Sequence, residues 1–130
     1  MKRYAQVGLG GRSRMYTQGV VAEFADTCEM VALCDINEGR LQVALESARG
    51  WGGDPKGYLA HQFDQMIAET QPDTIIVTTM DRFHDTYIVR AMEMGCDVIT
   101  EKPMTTDAEK AQRIIDTQRA TGKSCRVTFN

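Results

Sequence analysis

The sequence predicts an α/β fold built as a doubly wound parallel sheet, and three observations point there. Short apolar runs of strand length alternate with longer stretches of helical period, the pattern of successive βαβ units. The first run leads into Gly8-Leu9-Gly10-Gly11-Arg12-Ser13, a glycine-rich turn that opens a helix. The second run ends in an acid, Asp35, where the chain again passes from strand to helix. At 130 residues, 42% of them hydrophobic, the chain has the length of one domain, residues 1–130, and enough apolar surface to bury a core.

The elements follow in order. A strand over residues 4–8 precedes the glycine turn, and a helix over 12–25 would bury Met15, Tyr16, Gly19, Val20 and Phe24. Residues 29–34 form a strand apolar enough for burial on both faces. Asn37 can cap the next helix, in which Leu41, Ala44, Leu45 and Ala48 recur at i, i+3, i+4 and i+7, and Gly50 ends it. Residues 51–57 are the least regular, with a turn at Asp54-Pro55. A third strand over 57–60 and a short helix over 63–69 come next. Pro72 then separates that helix from a strand over 74–78. Tyr87, Ile88, Ala91 and Met92 mark a helix over 85–94, stopped by Gly95, with a strand over 96–100. Thr106-Asp107-Ala108-Glu109 is a capping-box pattern, opening a helix that ends near Thr121-Gly122 before a last strand over 124–129.

Composition narrows the function. A net charge of -3 offers no electrostatic reason to bind nucleic acid or an anionic membrane. The longest apolar runs, such as residues 74–77, are far too short to span a bilayer. The opening residues lack the apolar stretch and cleavage site of a signal peptide, so the expectation is a soluble cytoplasmic protein. Cys28, Cys34, Cys96 and Cys125 show no C-x-x-C spacing and read as free thiols in or beside strands. His61 and His84 lie too far from them in sequence to suggest a local zinc site, and no metal is expected.

The glycine turn carries the chemistry. Gly8 permits the tight turn, Gly10 lets a pyrophosphate approach the backbone, and Ser13 is small enough for the helix to pack against the strand. Amides at a helix start suit a phosphate, with Gly11 in the turn and Arg12 able to add a charge contact. Asp35 can accept hydrogen bonds from ribose hydroxyls and repel a 2′-phosphate. No arginine follows it directly, since Ile36 and Asn37 intervene before Arg40, so NAD is expected in preference to NADP. Together these features predict a Rossmann-type dinucleotide-binding fold.

Two further segments leave strands at the same edge. Thr78 and Thr79 follow the fourth strand and can line the cofactor channel, with His84 at the next helix start. Glu101, Lys102 and Pro103 follow the fifth. A lysine beside a nicotinamide can donate to a substrate oxygen and steady developing charge. From the residues alone, Lys102 reads more readily as a solvated surface charge, and His84 as a helix-terminal or partly packed histidine.

The run Asp97-Val98-Ile99-Thr100-Glu101-Lys102-Pro103-Met104, with the glycine turn and His84 upstream, resembles the N-terminal half of the glucose–fructose oxidoreductase and inositol dehydrogenase family (Gfo/Idh/MocA). The ending Val127-Thr128-Phe129-Asn130 is similar to it as well, so the resemblance covers nearly the whole chain. It implies an NAD(P)-dependent oxidoreductase acting on a sugar, polyol or related hydroxylated compound. Gly8, Gly10 and Ser13 match the phosphate turn, and Asp35 the ribose acid. Thr78, Thr79 and His84 match the loop beside the nicotinamide, while Glu101, Lys102 and Pro103 match the motif whose lysine serves the active site. One departure is Met80-Asp81, where many members carry a proline followed by asparagine or threonine; it bears on the shape of the nicotinamide loop.

Family members continue into a second α/β domain that holds the substrate and commonly mediates oligomerisation. The chain stops at the end of a strand, so the expectation is a piece of a longer, homo-oligomeric enzyme, inactive by itself. Two other functions stay open: an NAD-dependent glycoside hydrolase that oxidises its substrate transiently, and a non-catalytic dinucleotide sensor.

Overall fold

The computed structural model describes residues 1–10, 13–79, 81–101 and 108–128. Strands β1 (Lys2–Val7), β2 (Cys28–Asp35), β3 (Lys56–Leu59), β4 (Thr74–Val77), β5 (Asp97–Glu101) and β6 (Cys125–Thr128) form one sheet. Every pairing is parallel, and the order is β3-β2-β1-β4-β5-β6. The helices are α1 (Ser13–Gln18), α2 (Glu38–Gly50), α3 (Phe63–Thr70), α4 (Asp81–Glu93) and α5 (Ala108–Thr121). The strand order reverses between β1 and β4, which opens a crevice at their carboxyl ends.

Parallel strands need crossovers, and right-handed crossovers on either side of β1 put helices on both faces. Leu41, Leu45 and Ala48 of α2 pack with Val20, Met30, Leu33 and Ile76 on one face. On the other, Phe63, Met66, Ile88, Met92 and Ile114 cover Ala5, Val7, Ile75, Val77 and Val98. The alternation of Ala5, Gln6 and Val7 along β1 follows from the pleat, so Gln6 points away from the face that takes its neighbours. Asn37 caps α2 as expected, its side chain accepting from the Arg40 amide at 2.9 Å.

The face of α1 differs from the expected one. Met15 and Phe24 are 52% and 57% exposed, and the buried positions of this segment include Ser13, Thr17, Val20 and Val21. The reason is that Thr17 meets a buried polar residue, Gln6, so an apolar stripe is a poor guide to the helix phase. After Gln18 the helix also widens into a π turn over Gly19–Glu23, with the Phe24 amide donating to the Gly19 carbonyl, and this rotates Phe24 outward. Helix α4 begins one turn before the expected position, because Asp81–His84 lies ahead of its apolar stripe. The capping residues Thr106 and Asp107 lie outside the described residues, as do Met80, Phe129 and Asn130.

All four cysteines are free. Burial pushes the Cys34 thiol up to about 12 and Cys96 up to about 11, which keeps both protonated and unreactive. Among the described residues, no helix is long and apolar enough to cross a membrane.

Candidate functional site

The glycine turn sits where the strand order reverses. Gly8 has φ +90°, and a Cβ there would lie 2.5 Å from the Thr79 nitrogen and 2.6 Å from the Thr78 carbonyl carbon. Only glycine allows both that conformation and that approach. Gly10 is different: a Cβ built on it meets nothing within 4 Å, so its missing side chain leaves open space above the turn. Ser13 closes the turn, its amide donating to the Gly10 carbonyl at 3.0 Å and its hydroxyl to the same oxygen at 2.6 Å. A serine therefore does more here than stay small.

Asp35 lies beneath the turn, 3% exposed. Its Oδ2 accepts from the Leu9 amide at 2.7 Å, and its Oδ1 from the Asn37 amide at 2.7 Å. Arg40 then reaches back from the first turn of α2, with Nη2 at 3.0 Å from Oδ1. Burial pushes the Asp35 carboxyl up, but the hydrogen bond from Arg40, the two amides and the Arg40 charge outweigh it and hold the group below the usual range. The sequence places Arg40 too far along to follow Asp35 directly, but the turn of α2 folds its guanidinium back onto the acid. The signal was the place of Arg40 in the helical turn that follows Asp35.

Thr78 and Thr79 form the facing wall. The Thr78 hydroxyl donates to the Gly8 carbonyl and binds the two segments together. The Thr79 hydroxyl is buried without a hydrogen-bond partner among the described residues. Tyr87 of α4, one turn on from His84, also lines this cleft with Gly8, Gly10, Asp35, Ile36 and Arg40. Its ring is braced edge-on by Phe63 at 5.2 Å, and the sequence offered Tyr87 only as a marker of its helix. Beside the cleft, a groove of about 560 Å³ runs between α1 and α2 past Gly10, Ser13, Arg14 and Trp51.

Of the other expected site residues, Glu101 ends β5 outside this cleft, with Oε2 buried and unpartnered among the described residues. The backbone of His84 lies in the first turn of α4. Gly11, Arg12, Lys102 and Pro103 lie outside the described residues. The arrangement fits a dinucleotide on two grounds: an open space over Gly10, and the presence of Thr79 in the lining of the same crevice, its buried hydroxyl without a partner among the described residues.

Residues 2–129 match the family model described as "Oxidoreductase family, NAD-binding Rossmann fold". The chain is 32% identical over 105 residues to D-glucoside 3-dehydrogenase of Escherichia coli, covering 78% of this chain and 27% of that protein. It is 27% identical over 131 residues to glycosyl hydrolase family 109 protein 2 of Akkermansia muciniphila, covering 98% and 27%. Among solved structures it is similar to the WlbA dehydrogenase of Chromobacterium violaceum in complex with NADH and UDP-GlcNAcA. There the TM-score is 0.86 at 29% identity, over 98% of this chain and 34% of that one. The chain thus spans about a third of the length of these proteins, or less.

Proposed function

The chain belongs to the oxidoreductase family with an NAD-binding Rossmann fold, and on that premise we propose that it is the cofactor half of a dehydrogenase acting on a sugar, polyol or related hydroxylated compound. The observation that carries this reading is the pinning of Asp35 under the glycine turn by the Leu9 amide, which sets a carboxylate beside a phosphate cradle. The names of the relatives, a D-glucoside 3-dehydrogenase and a dehydrogenase solved with a nucleotide sugar, support the substrate class.

In this reading Gly10, Gly11 and Arg12 hold the pyrophosphate through backbone amides and one guanidinium, while Gly8 and Ser13 shape the turn, their amides donating to the Cys34 and Gly10 carbonyls. Asp35 receives the adenosine ribose hydroxyls, which compete with Arg40 for its oxygens and favour NAD over NADP. Thr78, Thr79 and His84 orient the nicotinamide end, and Glu101 and Pro103 shape the loop that carries Lys102. When bound, the cofactor supplies a hydride acceptor or donor at the nicotinamide ring. Lys102 hydrogen-bonds the reacting substrate oxygen and steadies the charge that develops there. Substrate binding falls to a further domain of a longer, homo-oligomeric cytoplasmic enzyme.

Trp51 is the only tryptophan and lines the groove beside Gly10, so it reports on the site. Titration with NADH should give a saturable change in Trp51 and reduced-ring fluorescence; no saturable response counts against the cofactor site. Binding of NADPH as tight as that of NADH would overturn the role of Asp35. The hydrolase relative favours a second reading, in which the oxidation is transient and the cofactor is regenerated. Net NADH release by the full-length protein separates the two. Loss of turnover in Lys102→Ala supports the catalytic role of that lysine and unchanged turnover removes it, whereas cofactor binding without any turnover in the unaltered full-length protein leaves a sensor.

A further inference from the structure

Gln6 is fully buried in β1, flanked by Ala5 and Val7, whose side chains pack on the opposite face. A buried amide costs free energy unless its hydrogen bonds are made, and an apolar side chain would fill a core position without that demand. The bonds it makes all go to the cofactor end of the fold. Nε2 donates to the Ser13 carbonyl at 2.9 Å and to the Thr78 hydroxyl at 3.2 Å, while Oε1 accepts from the Thr17 hydroxyl at 2.7 Å. Ser13 and Thr17 stand on α1 behind the phosphate turn, and Thr78 begins the loop after β4. One side chain therefore joins the two walls of the crevice from below.

We propose that Gln6 is a positioning residue for the dinucleotide, setting the spacing between the turn that holds the pyrophosphate and the loop that receives the nicotinamide. This rests on the cofactor assignment above. Glutamine suits the task because it offers two donors and an acceptor on one planar group, so three partners are fixed relative to one another. The neighbours also have fallback bonds. The Thr17 hydroxyl lies 3.2 Å from the Ser13 carbonyl, and the Thr78 hydroxyl already donates to Gly8. Removing the amide thus leaves those hydroxyls bonded and frees only the distance between the walls.

The test is Gln6→Met in the whole chain, a change close to isosteric that removes every hydrogen bond. NADH spans both walls, whereas ADP reaches only the turn and Asp35. The expected result is a loss of about tenfold or more in NADH affinity with less than about threefold for ADP. Thr17→Val, which frees one end of the amide, should give the same split more weakly, and it serves alone if Gln6→Met does not fold. Equal losses for the two ligands would mean general damage to the turn and would overturn the proposal, as would unchanged NADH binding. If the unaltered chain binds neither ligand, the cofactor assignment itself fails and takes the proposal with it.

Discussion

The guanidinium of Arg40 lies 3.0 Å from the carboxylate of Asp35, folded back over the acid from the first turn of α2. The carboxylate is buried and the arginine side chain is half exposed, so the pair joins the floor of the cleft to its solvent edge. On the proposed placement of the ribose at Asp35, Arg40 sets a cation beside the 2′ position, held in check by the acid. Replacing Asp35 with serine removes the repelling charge and releases Arg40. Asp35→Ser should weaken NADH about tenfold and strengthen NADPH by a similar factor, since charge-assisted bonds are the strong ones. In fluorescence titrations, Asp35→Ser/Arg40→Ala should lose the NADPH gain; if it keeps the gain, Arg40 has no such role.

The same pair predicts an acid limb in stability. The folded Asp35 carboxyl is held below its unfolded value, so its contribution is complete above the unfolded value of about 3.9 and is lost as pH falls through the folded one. Thermal melts from pH 7 down to about 3 should therefore show a steeper decline for the natural chain than for Asp35→Asn. Parallel curves would remove Asp35 from the account.

Two glycines of one turn should fail in opposite ways. Gly8→Ala forces a Cβ against the Thr78–Thr79 backbone at positive φ and should cost about 2 kcal/mol or more of stability. Gly10→Ala meets open space, so the melting temperature should hold while NADH affinity falls more than about tenfold. Binding that survives Gly10→Ala would show that the pyrophosphate does not cross there.

Thr79 gives a test in the same spirit. Its buried hydroxyl lacks a partner among the described residues, so Thr79→Val should leave the free chain as stable or more stable. If that hydroxyl serves the cofactor, NADH binding should weaken about threefold to tenfold, read by the same titration. A stability loss with unchanged binding would make Thr79 a structural residue.

Much of this was legible in the chain as written. Alternating apolar runs marked every strand to within one or two residues, because burial on both faces of a parallel sheet leaves a local trace. Asn37 capped its helix, and Gly8, Gly10, Ser13, Asp35, Thr78 and Thr79 fell at strand ends that share one edge. The phase of α1 was not legible. Its buried face is partly hydroxyl, matched to Gln6 on another element, and hydrophobic periodicity carries no record of such a match.

What the sequence by itself determined is the α/β class, the glycine turn and the acid after the second strand, since each depends on neighbours within a few residues. The tertiary structure alone decided that Gly8 abuts Thr79, that Arg40 returns to Asp35, and that Gln6 binds both walls of the crevice. Gly8 and Gln6 meet residues some seventy positions away, brought adjacent only when β4 pairs with β1. Arg40 is close in sequence to Asp35, yet its direction depends on how α2 leaves the sheet. Side-chain contacts of this kind are fixed by strand order and helix phase, and neither is written in local pattern.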